Sequence, residues 1–335
     1  MAEPKFVHLR VHTAYSLSEG AMKVPSLIPK LKDMGFPAIA VTDTANMFGA
    51  KALSHYAADC GIKPILGCQF YLRNPDADDL LKSKGRTIEP DKLVLLVRND
   101  EGYHNIMKLM KLSYLDNPEY NEKPQLKLSD LEGRSAGLIA LTGGVEGTVG
   151  RLLLENRKDE AEDFLLRLKA LFPDSLYVEI MRIGLESEHK TEEDFINLAY
   201  KHNLPLVATN EAFFLDADMY EAHDALVCIA TGEYVANENR KKFSPNNRLR
   251  SPEEMIELFK DLPEAVNNTV VIAERCSFLS EKVQPLLPIF ECPEGKNQDE
   301  FITEEAYKGL KERMEAQVYF KGMTEEERRE IDEKY

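Results

Sequence analysis

A chain of 335 residues with 43% hydrophobic and 30% charged side chains has room for one large α/β domain, or for one such domain and a smaller appendage. Its formal charge of −16 argues against a main grip on nucleic acid, which needs local excesses of Lys and Arg facing phosphates. No apolar run approaches the roughly 20 residues that span a bilayer. The start, Met-Ala-Glu-Pro-Lys-Phe, has no basic region followed by an apolar one, and the five cysteines form no C-x-x-C pair. A cytoplasmic protein is expected, away from the membrane, with idle thiols and neither zinc ribbon nor redox motif.

Short β-rich runs then alternate with segments of helical period. Strands are predicted at Val7 to Arg10, Ala38 to Thr42, Ile65 to Tyr71, Leu93 to Val97, Gly137 to Thr142, Leu176 to Ile180 and Leu206 to Thr209. Several are apolar on both faces, as strands between an inner core and an outer helix layer should be. Helices are predicted at Lys23 to Met34, Ala45 to Cys60, Tyr103 to Leu115, Val145 to Glu155, Lys158 to Phe172, Glu188 to His202 and Asp216 to Ala230. Gly35 and Gly61 stop the first two. This alternation implies a parallel sheet of strand-helix units, closed as a barrel or open and doubly wound.

Past Ala230 the rhythm breaks. A polar loop leads to Ser251-Pro252-Glu253-Glu254, a capping box with Pro at the first helical position, and a further helix covers Pro263 to Cys276. Pro285-Leu286-Leu287-Pro288 and Pro293-Glu294-Gly295 mark a linker before two charged helices, Asp299 to Tyr319 and Thr324 onward. The last helix stops uncapped, which reads as a segment of a longer protein.

In barrels of strand-helix units, function gathers at the loops after the carboxyl ends of strands. Those loops carry His12, Glu19, Asp43 and Glu211, residue types that could ligate a hydrolytic metal if they converged. Each also has a plainer reading. Asp43 suits a turn or helix cap, and His8 is read as facing away from Arg10 and His12, structural or exposed. His55, His104, His189, His202 and His223 have no metal-ligand spacing. The run from Gly143 to Gly147 could hold a phosphate on backbone N–H groups, though a tight turn explains it as well. Arg240, Lys241, Lys242, Arg248 and Arg250 form one candidate basic cluster, either a nucleic-acid contact or a solvated loop.

Taken in order, His8-Leu9-Arg10-Val11-His12-Thr13-Ala14-Tyr15-Ser16, Val41-Thr42-Asp43, Gly61-Ile62-Lys63-Pro64-Ile65-Leu66-Gly67 and Ala208-Thr209-Asn210 resemble the PHP (polymerase and histidinol phosphatase) domain of bacterial DNA polymerase III alpha subunits. The resemblance continues through Arg98 to Tyr103, Ala222 to Ile229 and Glu264 to Thr269, and so covers nearly the whole chain. It implies a distorted (βα)7 TIM-like barrel followed by a short, mostly helical segment. It places the PHP domain at residues 1–277, with a linker and the start of the polymerase palm at 278–335.

Against the metal-binding members of that family the site is altered. Arg10 stands in the first position of an H-x-H pair and His12 in the second. Glu19 replaces the usual Asp, Thr44 a His, Gln69 a Glu and Lys92 a His, while Glu211 and Phe213 replace an Asp and a His. Two added cations would repel divalent metals. The expectation is a vestigial centre with no metal and no catalytic residue, in which Arg10 pairs with Glu19, Asp43 or Glu211. The resemblance further implies a non-catalytic scaffold that supports the palm in cis and docks the separate proofreading exonuclease subunit. DNA and Mg2+ would be bound by polymerase parts outside this chain, with little or no DNA contact through this domain. The alternative is an active metal-dependent phosphoesterase or 3'-5' exonuclease using His12, Glu19, Asp43 and Glu211.

Overall fold

The computed structural model describes residues 6–74, 89–116, 123–281 and 284–335, so the start read for a leader, residues 1–5, lies outside it. Contacts divide the chain into two compact units, Met1–Glu281 and Lys282–Tyr335.

In the first unit a mixed sheet runs in the order β1 (Ala38–Val41), β2 (Lys63–Leu72), β3 (Asp91–Val97), β5 (Leu138–Leu141), β6 (Leu176–Met181) and β7 (Leu206–Thr209), while β4 (Gln125–Leu126) pairs with β2 off this path. The segment 7–13 closes the ring. His8 bridges to Ile39 of β1 and Val11 bridges to Ala212, just past β7, so one segment joins both edges of the sheet. The result is a distorted seven-membered barrel. Full closure removes the free strand edges an open sheet would expose.

Two expectations change. The sheet is not all parallel, because β3 runs antiparallel to both β2 and β5. An apolar run such as Leu93-Val94-Leu95-Leu96-Val97 reads alike in either direction, so the sequence carries no sign of the reversal. The first segment is also not a regular strand. Ala40 and Thr42, two residues apart, donate to the carbonyls of His8 and Val11, three residues apart, both at 2.8 Å. That extra residue acts as a β-bulge and shifts the alternation of side chains. Strict alternation would put His8, Arg10 and His12 on one face. The bulge instead leaves Val7 and Leu9 in the barrel interior while Arg10 also turns inward, and His8 packs outside between Phe6 and Phe36.

The interior below the strand ends is apolar: Leu9, Ala40, Ile65, Val94, Leu96, Ile139, Leu141 and Val207, with Ile272, Ala273 and Cys276 supplied by the end of the helix Pro263–Arg275. A larger cluster fills the space between the sheet's outer face and its helices. Ser251 Oγ caps the helix Pro252–Leu258 by accepting from Glu254 N at 3.2 Å, as the sequence predicts. The second unit carries two charged, exposed helices, Gln298–Arg313 and Glu325–Lys334, capped by Asn297 and Thr324. Among its described residues Met314 is the buried one.

Candidate functional site

The inward-facing positions at the end of the barrel carry the polar residues. On each parallel strand they continue the apolar series in steps of two: Ile65 leads to Gln69, Tyr177 to Glu179 and Val207 to Glu211. On antiparallel β3 the same end of the barrel is the strand's start, and Lys92 stands there.

Arg10 is the hub, with no exposed surface. Its Nε and Nη2 donate to Gln69 Oε1 at 3.0 and 2.7 Å, Nη2 also reaches Glu211 Oε1 at 3.0 Å, and Nη1 lies 3.4 Å from Glu179. The Gly143 carbonyl accepts a further bond from Nη1 at 3.3 Å. Lys92 Nζ sits 2.6 Å from Glu146 and 3.3 Å from Glu211. Two cations thus face three carboxylates, Glu146, Glu179 and Glu211.

A second layer ties the loops. Asp43 accepts from Thr13 N and Ser16 Oγ, both at 2.7 Å, and from Thr13 Oγ1. It clamps loop to loop rather than capping a helix. Thr44 Oγ1 donates to Glu19 at 2.7 Å, accepts from Gln69 Nε2 at 3.3 Å and lies 3.3 Å from His12 Nδ1. The His12 ring stacks on Phe213, centroids 4.3 Å apart, and its Nε2 is 3.2 Å from Glu211 without the alignment of a hydrogen bond. The helix predicted from Ala45 begins only at Ala50, because Ala45 adopts a left-handed φ of 54° and Asn46 donates to the Tyr15 and Thr44 carbonyls.

All nine sequence candidates therefore join one connected network: Arg10, His12, Glu19, Asp43, Thr44, Gln69, Lys92, Glu211 and Phe213. Burial works to raise the Glu211 carboxyl, but the Arg10 and Lys92 cations outweigh it and hold it well below its ordinary value. Burial likewise opposes the charge on Arg10 and Lys92, and their carboxylates keep both more basic than usual. Every carboxylate here already faces a cation or a hydroxyl. Among the described residues no three His, Cys, Asp or Glu groups gather in a way that could hold a metal ion.

The structure decides between several alternatives the sequence leaves open. Arg10 pairs with Glu211 but not with Glu19 or Asp43, whose oxygens are taken up by neighbouring hydroxyls. Glu179 and Glu146 were missed. Glu179 had a legible signal, an acid on the inward face of the apolar run Leu176-Tyr177-Val178-Glu179-Ile180. The Gly143 N–H considered for a phosphate donates instead to Glu179 at 2.9 Å, and Gly143 reaches that position with a φ of 84°. His8 is buried, and its Nε2 donates to the Arg250 carbonyl at 2.8 Å. Within the basic cluster Arg240 pairs with Asp224, Arg248 with Glu254, Lys241 lies 3.9 Å from Glu19, and Arg250 is buried.

The profile of the PHP domain matches residues 8–183. The chain is 39% identical over 310 residues to DNA polymerase III subunit alpha of Caulobacter vibrioides, covering 92% of this chain and 27% of that protein. It is 36% identical over 316 residues to the same subunit of Vibrio cholerae, covering 94% and 26%. It thus spans about a quarter of the length of these curated relatives. An amidohydrolase structure from Chromobacterium violaceum aligns with 62% of this chain and 87% of its own at 16% identity, with a TM-score of 0.38. The profile match across more than half of the chain settles its kinship: the protein belongs to the PHP domain family.

Proposed function

We propose that this chain is the amino-terminal PHP domain of a replicative DNA polymerase of the polymerase III alpha kind, and that its former metal centre now serves as a structural ion-pair core. Support for the polymerase context is the identity to alpha subunits across nearly the whole chain. The observation that carries the scaffold reading is the Arg10 guanidinium, buried among Gln69, Glu179 and Glu211 where hydrolytic relatives would gather metal ligands. A guanidinium stays charged and uses its fork of N–H groups to hold strand ends together, but it cannot activate water. In this reading residues 1–277 form the domain, and 278–335 begin the connection to a palm. The domain supports that palm in cis, docks a proofreading exonuclease subunit, and leaves DNA and Mg2+ to parts of the polymerase outside this chain. The protein works in the cytoplasm, in keeping with the lack, among the described residues, of any helix long and apolar enough to cross a membrane.

Metal analysis by mass spectrometry on protein purified without chelator, beside hydrolysis of end-labelled single-stranded DNA, tests the reading. Trace metal and no hydrolysis are expected. Near-stoichiometric zinc or manganese with hydrolysis would replace it by the phosphoesterase alternative on His12, Glu19, Asp43 and Glu211. Pull-down with the proofreading subunit tests the docking role separately, and no complex would remove that part.

A further inference from the structure

Away from the Arg10 network, the helix Asp100–Lys111 and the loop at 45–48 form the walls of an apolar groove of about 360 Å³. Tyr103, Met107, Met110 and Tyr114 recur at spacings of four, three and four, so they form one stripe along the helix and the turn that continues it. Phe48 faces them from the loop. The groove is held open by its own structure: Tyr114 Oη donates to the Ala45 carbonyl at 2.9 Å, and the Tyr103 ring stacks on Phe278 with centroids 4.4 Å apart. Phe48 at 63% exposure, Met107 at 44% and Tyr114 at 52% leave a contiguous apolar surface in water. Such patches mark interaction sites, and methionine adapts to varied anchors.

The charges around it give the partner's chemistry. Lys111 lies four residues after Met107 and three before Tyr114, so it borders the stripe. Lys51, at the start of the helix that follows the loop at 45–48, reaches the Ser280 carbonyl with its Nζ at 3.1 Å. The acids of the helix, Asp100 and Glu101, are confined to its first turn, where they favour the helix dipole. A lysine-edged apolar groove on a chain of net charge −16 is a local reversal of sign.

We propose that this groove docks an acidic segment of a partner polypeptide. Leu or Phe side chains of the segment enter between Phe48 and Met107, and its Asp and Glu residues face Lys111. The inference goes beyond the scaffold reading and is independent of whether the Arg10 centre binds metal.

Fluorescence anisotropy with a labelled peptide, Asp-Glu-Leu-Phe-Asp-Glu-Leu-Leu-Glu-Glu, tests it. Two controls replace either all its acids by Lys or all its apolar residues by Ser. The acidic apolar peptide is expected to bind about tenfold tighter than either control, and less so as salt rises. Met107→Glu and Lys111→Glu should each weaken it about tenfold, and Lys111→Glu should narrow the preference over the Lys peptide. Circular dichroism melts show whether each variant is folded; Lys111→Glu, at a solvated position, keeps the test open if Met107→Glu unfolds. Equal binding of the three peptides, or binding indifferent to both substitutions, overturns the proposal. So does a dimer in sedimentation velocity that Met107→Glu abolishes, because the groove would then be an interface between two copies.

Discussion

The lower and upper halves of the barrel interior are filled in opposite ways. Below, Leu9, Val94, Ile139 and Ile272 pack as an apolar core, whereas above, Arg10 and Lys92 sit among Glu146, Glu179 and Glu211. The apolar half is built from many small, non-directional contacts, so a single deletion leaves a cavity into which neighbours partly relax. In the ionic half each charge is tolerable only because its partners are in place. The two halves should therefore fail differently.

The largest expected effect is Arg10→Ala. It strands Glu179 and Glu211 without their main cation and should cost about 4 kcal/mol in a denaturant melt. Adding Glu179→Gln and Glu211→Gln should recover part of that loss, since the stranded charges go with it. A triple variant no better than Arg10→Ala would mean that packing, not charge, is what Arg10 supplies. Ile139→Ala, in the apolar half, should cost about 3 kcal/mol by transfer and cavity formation, with no rescue from neighbouring substitutions. A third expectation concerns acid. Burial lowers His8 from 6.5 to about 4, so below pH 6.5 the unfolded chain takes up a proton that the folded domain refuses until about pH 4. Stability should fall by up to about 3 kcal/mol as pH drops through that window, and His8→Gln should flatten the slope. Below the ordinary carboxylate range protonation of Glu211 removes more, because its folded value is depressed. The smallest effect is expected from a chelator, which should move the melting temperature by less than about 1 °C. A larger fall would point to a bound metal that stabilises the fold.

Much of this was legible in the sequence. Apolar runs bounded by turn residues revealed six of the ring's strands, and the ordered motifs revealed the family. What stayed hidden depended on direction and partners. The reversal of β3 leaves no mark on an apolar run, yet it alone explains how Lys92, at a strand's beginning, faces residues from the ends of others. Asp43 and Glu19 looked like partners for Arg10 because their charges suit it. Hydroxyls closer in space, Ser16 and Thr44, take them first. Glu179 was hidden inside a strand read as core, although an acid at an inward position of a buried strand must find a cation or a ring of donors.

The surplus residue between His8 and Val11 works like a half-wavelength delay in a wave. It bends the strand a little and inverts which side every later crest points to. Deleting Leu9 would restore strict alternation with Arg10 in the inward position next to His8, so the strand would keep its cation and lose the apolar side chain beneath it. Residues 8–11 therefore hold a spacing that cannot drift by one.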